Sequence, residues 1–279
     1  MILMNKILIV AQKEFRDGIR NRWTGAITII FILMSLGLAY FGSATAGVLG
    51  FSSLESTLVS LASLCVMLIP LIALMLAYNC FVGELEQGTL LLLMTYPLSN
   101  AQLLLGKFFG QAAIITLASF LGFGLPAIII CLVSEVDVAS VLIAFSQFIV
   151  LASLLGWVFI AIAYIISISV AEKSKAAGLA LIVWFLFVLV FDLVLMAILV
   201  ASEGNINETL VPFLLWINPT DVFRILVYTI IGAESYSGIL QIAENGADGT
   251  FYLLSVMLLW VAMPLACSWW IFNKKELSE

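Results

Sequence analysis

Not one histidine occurs in the 279 residues, which removes imidazole metal ligands, serine–histidine triads and imidazole proton relays. The four cysteines, Cys65, Cys80, Cys131 and Cys267, are scattered through or beside apolar stretches with no C-x-x-C pair, so neither a zinc site nor a disulfide framework is indicated. They read as small packing residues. Met263 and Cys267 share a helix face at i, i+4, and soft sulfur ligands suit monovalent copper, but two sulfurs do not make a site. A phosphate loop is also missing: Gly106-Lys107 has the look of its end, yet Ala101 stands where the first glycine belongs and Phe108 replaces the magnesium-holding hydroxyl. With no G-x-S-x-G turn and no paired intramembrane acids, the chain is expected to be non-catalytic, with no cofactor or metal of its own. No nucleic-acid partner is expected either.

What is present is apolar. Hydrophobic residues make up 64% of the chain and charged ones 10%, against roughly 45–50% and 25% in soluble domains. The composition is that of an all-α integral membrane protein, read as a single transmembrane domain over residues 1–279. About 20 mostly apolar residues cross the hydrocarbon core as a helix. Six segments qualify: Thr24 to Phe41, Leu58 to Tyr78, Phe109 to Val133, Val141 to Ile168, Ala176 to Ala201 and Phe251 to Phe272.

The few basic residues set an orientation. Of the 11, Lys6, Lys13, Arg16, Arg20, Arg22, Lys107, Lys173, Lys175, Lys274 and Lys275 fall on one side of a six-span arrangement, and only Arg224 on the other. Both termini and the segment 79–107 are therefore expected in the cytoplasm. The opposite side collects the acids Glu55, Glu135, Asp137, Glu203, Glu208, Asp221, Glu234, Glu244 and Asp248.

Residues 5–22 read as an amphipathic interfacial helix, with Leu8, Ala11, Phe15 and Ile19 at helical spacing and Lys13, Arg16 and Arg20 on another face. An ordinary juxtamembrane helix met only by lipid headgroups is the simpler alternative. The basic start, apolar run and Ala44-Thr45-Ala46 imitate a secretory signal, but the lengths point to an uncleaved anchor. In the outer segment 202–250, the apolar stretch 209–232 tempts a seventh span. Pro212, Asn218, Pro219, Asp221 and Arg224 interrupt it, so a re-entrant or interfacial pair of short helices is expected, with Asp221 and Arg224 pairing at i, i+3. Asp192 is the one acid inside a span. An ionised carboxylate there should face a cavity, a partner helix or a neighbouring subunit.

The segment Gly83 to Lys107 concentrates acids, a glycine break and leucines in a connection too short to bury its own core. Ser99 and Gln102 form a capping-box pair, so a helix is expected to start at Ser99 and run into the third span. Leu90 to Leu93, Met94, Leu98 and Leu103 to Leu105 leave an apolar patch suited to docking on another protein.

The run Gly83-Glu84-Leu85-Glu86-Gln87-Gly88-Thr89-Leu90, followed by Pro97, Ser99 and Gly106-Lys107, resembles the hallmark segment of the six-span permeases of the ABC type-2 exporter class. The resemblance implies that Glu84, Glu86, Gly88, Thr89, Leu90, Pro97, Ser99 and Lys107 belong to an ATPase-coupling segment, leading into a coupling helix that fits a groove on a cytoplasmic ATP-binding subunit. A narrower likeness is carried by the run Lys13 to Trp23, by Tyr40-Phe41-Gly42-Ser43, by Pro70 to Leu74 and by Asn218 to Arg224. It is to permeases of the system that matures the copper centres of nitrous-oxide reductase. That likeness implies a homodimer in a bacterial inner membrane, bound to two ATPase copies that hold ATP and magnesium. It also implies a periplasmic copper-binding accessory protein at the outer face, where Asn218, Pro219, Asp221 and Arg224 would form a partner contact or gate. A generic exporter permease for a lipid, drug or other solute stays open, as does an ion-coupled carrier using Asp192.

Overall fold

The computed structural model describes residues 2–41, 53–90, 98–134, 136–201, 210–231 and 249–276, and every regular element among them is helical. Helix α1 (Ile2–Arg20) and α2 (Arg22–Phe41) meet at a bend of 69°. Then come α3 (Leu54–Ala77), the single-turn α4 (Val82–Glu86), α5 (Asn100–Val133) and α6 (Val138–Ser169). A fifth rod is built from α7 (Lys173–Phe185), a π-helical turn at Leu186–Val190 and α8 (Phe191–Ala201). Two short helices, α9 (Leu210–Trp216) and α10 (Pro219–Ile231), precede α11 (Gly249–Glu276). Pro97, the leucines 91–93, Met94, Gly42-Ser43 and the acids Glu135, Glu203, Glu208, Glu234, Glu244 and Asp248 lie outside the described residues.

Five helical stretches are long and apolar enough to cross a membrane: Leu54–Glu86, Asn100–Val133, Val138–Ser169, Lys173–Ile198 and Gly249–Lys275. Lys6–Arg20 and Thr24–Tyr40 pass the same test only together, as a pair bent by 69° that would count as one broken span. Helix α6 is the centre of the bundle, with α3, α5, α10 and α11 all packed on it. In its most apolar window 78% of residues are buried, against 6% for the α7–α8 rod, which is left at the periphery. Aromatic edges lock the middle of the bundle. Phe123 meets Phe31 and Phe148 at centroid distances of 5.0 and 4.7 Å, and Phe148 meets Phe223 of α10 at 6.1 Å.

One end of the bundle is tied by polar contacts between chain-distant termini. Lys275 Nζ donates to the Ile168 carbonyl at 2.8 Å, and Asn100 Nδ2 to Asn273 Oδ1 at 3.0 Å. The Lys173 N–H donates to Glu86 Oε1 at 2.6 Å, so α4, the start of α5, the end of α6, the start of α7 and the end of α11 share that end. The outer pair behaves differently. Asn218 Nδ2 reaches the Phe187 carbonyl at 2.9 Å, midway along the α7–α8 rod, and Trp260 Nε1, near the middle of α11, donates to the Trp216 carbonyl at 2.9 Å. The turn between α9 and α10 thus sits inside the bundle, level with the middle of the α7–α8 rod and of α11. The buried Asn218 and Thr220 and the neighbouring helices satisfy the polar groups that such a turn exposes.

Helix α1 is not held by lipid alone. Its successive turns meet successive turns of α5 in the same direction: Val10 over Gly106, Glu14 over Gly110, and Gly18 against Ile114. Gly106 and Gly110 form a small-xxx-small groove that lets the two backbones close up. A methyl at Gly110 would stand 2.7 Å from the Ala11 carbonyl oxygen, and one at Gly106 2.6 Å from Val10 Cβ. The outward apolar residues Leu8 and Ile9 remain for lipid. Gly110→Ala is therefore expected to cost about 1–3 kcal/mol by overpacking and to raise hydrogen exchange throughout α1. Gly178→Ala, with nothing within 4 Å of the added methyl, is the neutral control. Unchanged α1 protection in Gly110→Ala would contradict this packing.

Candidate coupling site and outer charge cluster

Helix α4 is short because its ends are fixed from outside. At its start the Phe81 and Val82 N–H groups both donate to the buried Ser167 hydroxyl of α6, at 2.9 and 3.1 Å, so helix-start donors find a partner across the bundle. At its end Gly88 takes φ +69°, the left-handed stop that glycine accepts without strain. Thr89 folds back to donate to the Glu84 carbonyl at 3.3 Å, and Leu90 is buried. Leu85, Glu86, Gln87, Gly88 and Thr89 are exposed.

Behind this exposed turn lies a buried ion cluster. Lys107, with 2% of its surface exposed, places Nζ 2.6 Å from Glu84 Oε1 and 3.0 Å from Glu14 Oε1. Its ammonium also lies over the Phe81 ring at 5.6 Å. Glu14 Oε1 accepts from Lys13 as well, at 3.0 Å, and Lys13 in turn pairs with the exposed Asp17 at 3.4 Å. Burial pushes the Glu14 carboxyl up, but Lys107 and Lys13 beside it outweigh burial and hold it below its usual range. The stability Glu14 contributes is therefore complete above the unfolded value of 4.5 and is lost as pH falls through the lower folded one. Deeper still, Gln111 Oε1 accepts from the Tyr164 hydroxyl at 3.2 Å, and Tyr164 also contacts the Cys80 thiol at 3.8 Å.

The cluster joins α1, α4 and α5 through residues distant in the chain. Lys107 is buried because α5 enters the bundle in its first turn. The same burial corrects one expectation: Leu90, Leu103 and Leu104 are core residues and not part of an open docking patch. Ser99 opens α5 with both halves of the capping box formed: its hydroxyl accepts from the Gln102 N–H at 3.3 Å, and Gln102 Oε1 from the Ser99 N–H at 3.0 Å. Glu86 turns to the start of α7. Glu14 and Ser167 escape sequence reasoning. The only signal for Glu14 is an acid placed among the bases of an otherwise cationic helix.

On the other side, Arg224 is shared by two acids. It donates to Asp221 Oδ1 at 3.0 Å, the expected i, i+3 pair, and to Asp192 Oδ2 at 2.9 Å, across from α8. Asp192 thus finds its partner helix in α10. Asn218 holds the turn, accepting from the Thr220 N–H at 3.1 Å and donating to the Phe187 carbonyl, while Pro219 opens α10 where its missing N–H is harmless. The four cysteines are all free, and among the described residues no three acids or cysteines converge as a metal site.

Removing Lys107 alone leaves two part-buried carboxylates without their shared cation, Glu14 keeping only Lys13, so Lys107→Met is expected to cost about 3–5 kcal/mol. Glu84→Gln or Glu14→Gln leaves Lys107 one partner and costs less. The triple variant K107M/E84Q/E14Q restores most of the thermal stability lost in Lys107→Met, because neutral isosteres replace the whole cluster. Thermal unfolding in detergent checks the order. A triple variant no more stable than Lys107→Met would contradict the account.

Two comparisons with known proteins match this architecture. The family described as ABC-2 family transporter protein matches residues 8–277. A protein of Stutzerimonas stutzeri named "Probable ABC transporter permease protein NosY" is 48% identical over 274 residues, covering 98% of this chain and 99% of that one. A protein of the same name from Pseudomonas aeruginosa is 46% identical over 275 residues, covering 98% and 100%. Nearly the whole length is matched in each case. The chain therefore belongs to the ABC-2 transporter family and is a multi-pass permease subunit of an ABC transporter in the bacterial inner membrane.

Proposed function

We propose that this chain couples ATP hydrolysis by a separate cytoplasmic subunit to a conformational change at the periplasmic face, in maturation of the copper centres of nitrous-oxide reductase. The observation that carries the coupling half is the exposed Leu85–Thr89 turn backed by the buried Lys107–Glu84–Glu14 cluster. A turn that transmits force needs a surface for its partner and a rigid mount behind it, and this segment has both. The charge bias puts that end of the bundle, with both chain termini, in the cytoplasm.

The complex is read as two copies of this chain with two ATPase copies holding ATP and magnesium. The α7–α8 rod, little buried within one copy, leaves apolar area for a second copy or for lipid. Support for the copper-maturation setting comes from the relatives' shared name together with the sequence resemblance. A periplasmic copper-binding protein would then meet the outer face near the α9–α10 pair. Closure of the ATPases would push the Glu84 to Leu98 segment, and α5, started at Ser99, would carry the displacement outward as a rigid-body switch.

Purified with its native neighbours, the chain is expected to bring down a soluble ATPase. Gly88→Ala forces a left-handed residue to carry a side chain at a cost of about 1–2 kcal/mol, enough to lower the population of the docking-competent turn roughly tenfold. Gly88→Ala and Glu84→Gln complexes should therefore hydrolyse ATP with the coupled outer event largely lost. Full coupling in both variants, or ion-driven flux by the chain alone in liposomes with no ATPase attached, would contradict the proposal.

A further inference from the structure

Glu86 stands on the exposed coupling turn, yet its carboxylate is engaged within the chain. Its Oε1 accepts from the Lys173 N–H at 2.6 Å, the first residue of α7. The residue before, Glu172, makes no side-chain cap, and its carboxylate goes to Lys175 at 2.7 Å instead. A helix start leaves N–H donors without intrahelical partners and carries partial positive charge, so a carboxylate there is doubly favoured. Glu86 is thus a cap supplied from 87 positions away in the chain.

The rod that begins at this cap is the same one that holds the α9–α10 pair. Halfway along it the backbone widens into the π-helical turn Leu186–Val190, a feature that recurs at functional positions. Within that turn the Phe187 carbonyl accepts Asn218, and just beyond it Asp192 accepts Arg224. Elsewhere the rod is held by Trp184, whose indole donates to the Met67 carbonyl of α3 at 3.0 Å, and by Phe187, edge-on to Phe159 of α6 and Trp260 of α11 at 5.9 Å each. One element therefore touches the coupling turn at its end and α10 at its middle.

We infer that Glu86 is a positioning residue that joins the coupling turn to the start of the fifth span, making α7–α8 a second lever, beside α5, to α10. An ATPase seated over the turn would exclude water from the Glu86–Lys173 contact and strengthen it in the docked state. The inference rests on the coupling function proposed above.

The test is hydrogen exchange of segment 210–231 in the complex with its ATPase, with and without trapped ATP. The wild-type complex should show an ATP-dependent change in that segment. In Glu86→Ala the change should shrink about fivefold or more, with the ATPase still bound. Glu86→Gln keeps an acceptor oxygen for the Lys173 N–H and should keep the response. Lys173→Pro removes the donor while suiting the first position of a helix, and the extended Glu172 (φ −121°, ψ 131°) already has the conformation that precedes proline. It should match Glu86→Ala, whereas Lys173→Ala, which retains the N–H, should match wild type. A full response in Glu86→Ala beside a lost response in Glu84→Gln would overturn the inference and leave the coupling function standing. Loss in Glu86→Gln equal to that in Glu86→Ala would also overturn it, pointing to charge recognition by the ATPase. No ATP response even in wild type would remove the coupling function itself.

Discussion

A lysine ammonium with almost no solvent access must be surrounded by countercharge, and that requirement organises the cytoplasmic half of this permease as we orient it. Lys107 can remain charged only while Glu14 of α1 and Glu84 of α4 stay within hydrogen-bond reach. The close backbone approach at Gly106 and Gly110 brings Glu14 there, and the Ser167 hydroxyl fixes the start of α4 so that Glu84 points inward. Packing and electrostatics are thus mutually dependent. Loosening α1 exposes the charge, and removing the charge unseats α1.

In the middle of the bundle, order depends on breaks in regular structure. Asn218-Pro219 stops one helix and starts another inside the bundle, and the π-helical turn in the fifth span widens the backbone at the level where Asn218 arrives. Arg224 then bridges two acids on separate elements. Polar groups at this depth are costly in hydrocarbon unless paired, so each break is matched by a side chain that satisfies it. The result is a short helix, α10, attached to the α7–α8 rod by specific bonds and to α6 by aromatic packing.

Much of this was legible in the chain. The apolar runs located the spans, Leu58 to Tyr78 falling almost wholly inside Leu54–Ala77, and the Ser99–Gln102 box marked the start of α5 because capping is local chemistry. The Asp221–Arg224 pair was readable for the same reason. Contacts between distant positions were not. Glu14 and Lys107 are 93 positions apart and Asp192 and Arg224 32, so only the fold could unite them. The leucines misled for a related reason: composition reports that Leu103 and Leu104 need cover, but not that their own chain provides it. The π-helical turn left no mark in the uniformly apolar Leu186–Val190.

The central claim is that α1, α4 and the start of α5 move as one body when the ATPase acts. Spin labels at the exposed Asp17 of α1 and Gln87 after α4, in the complex with and without trapped ATP, test it directly. The account predicts that the Asp17–Gln87 distance stays fixed while the distance from Gln87 to a label at Ile231, the end of α10, changes. A nucleotide-dependent change in the Asp17–Gln87 distance as large as that to Ile231 would contradict it.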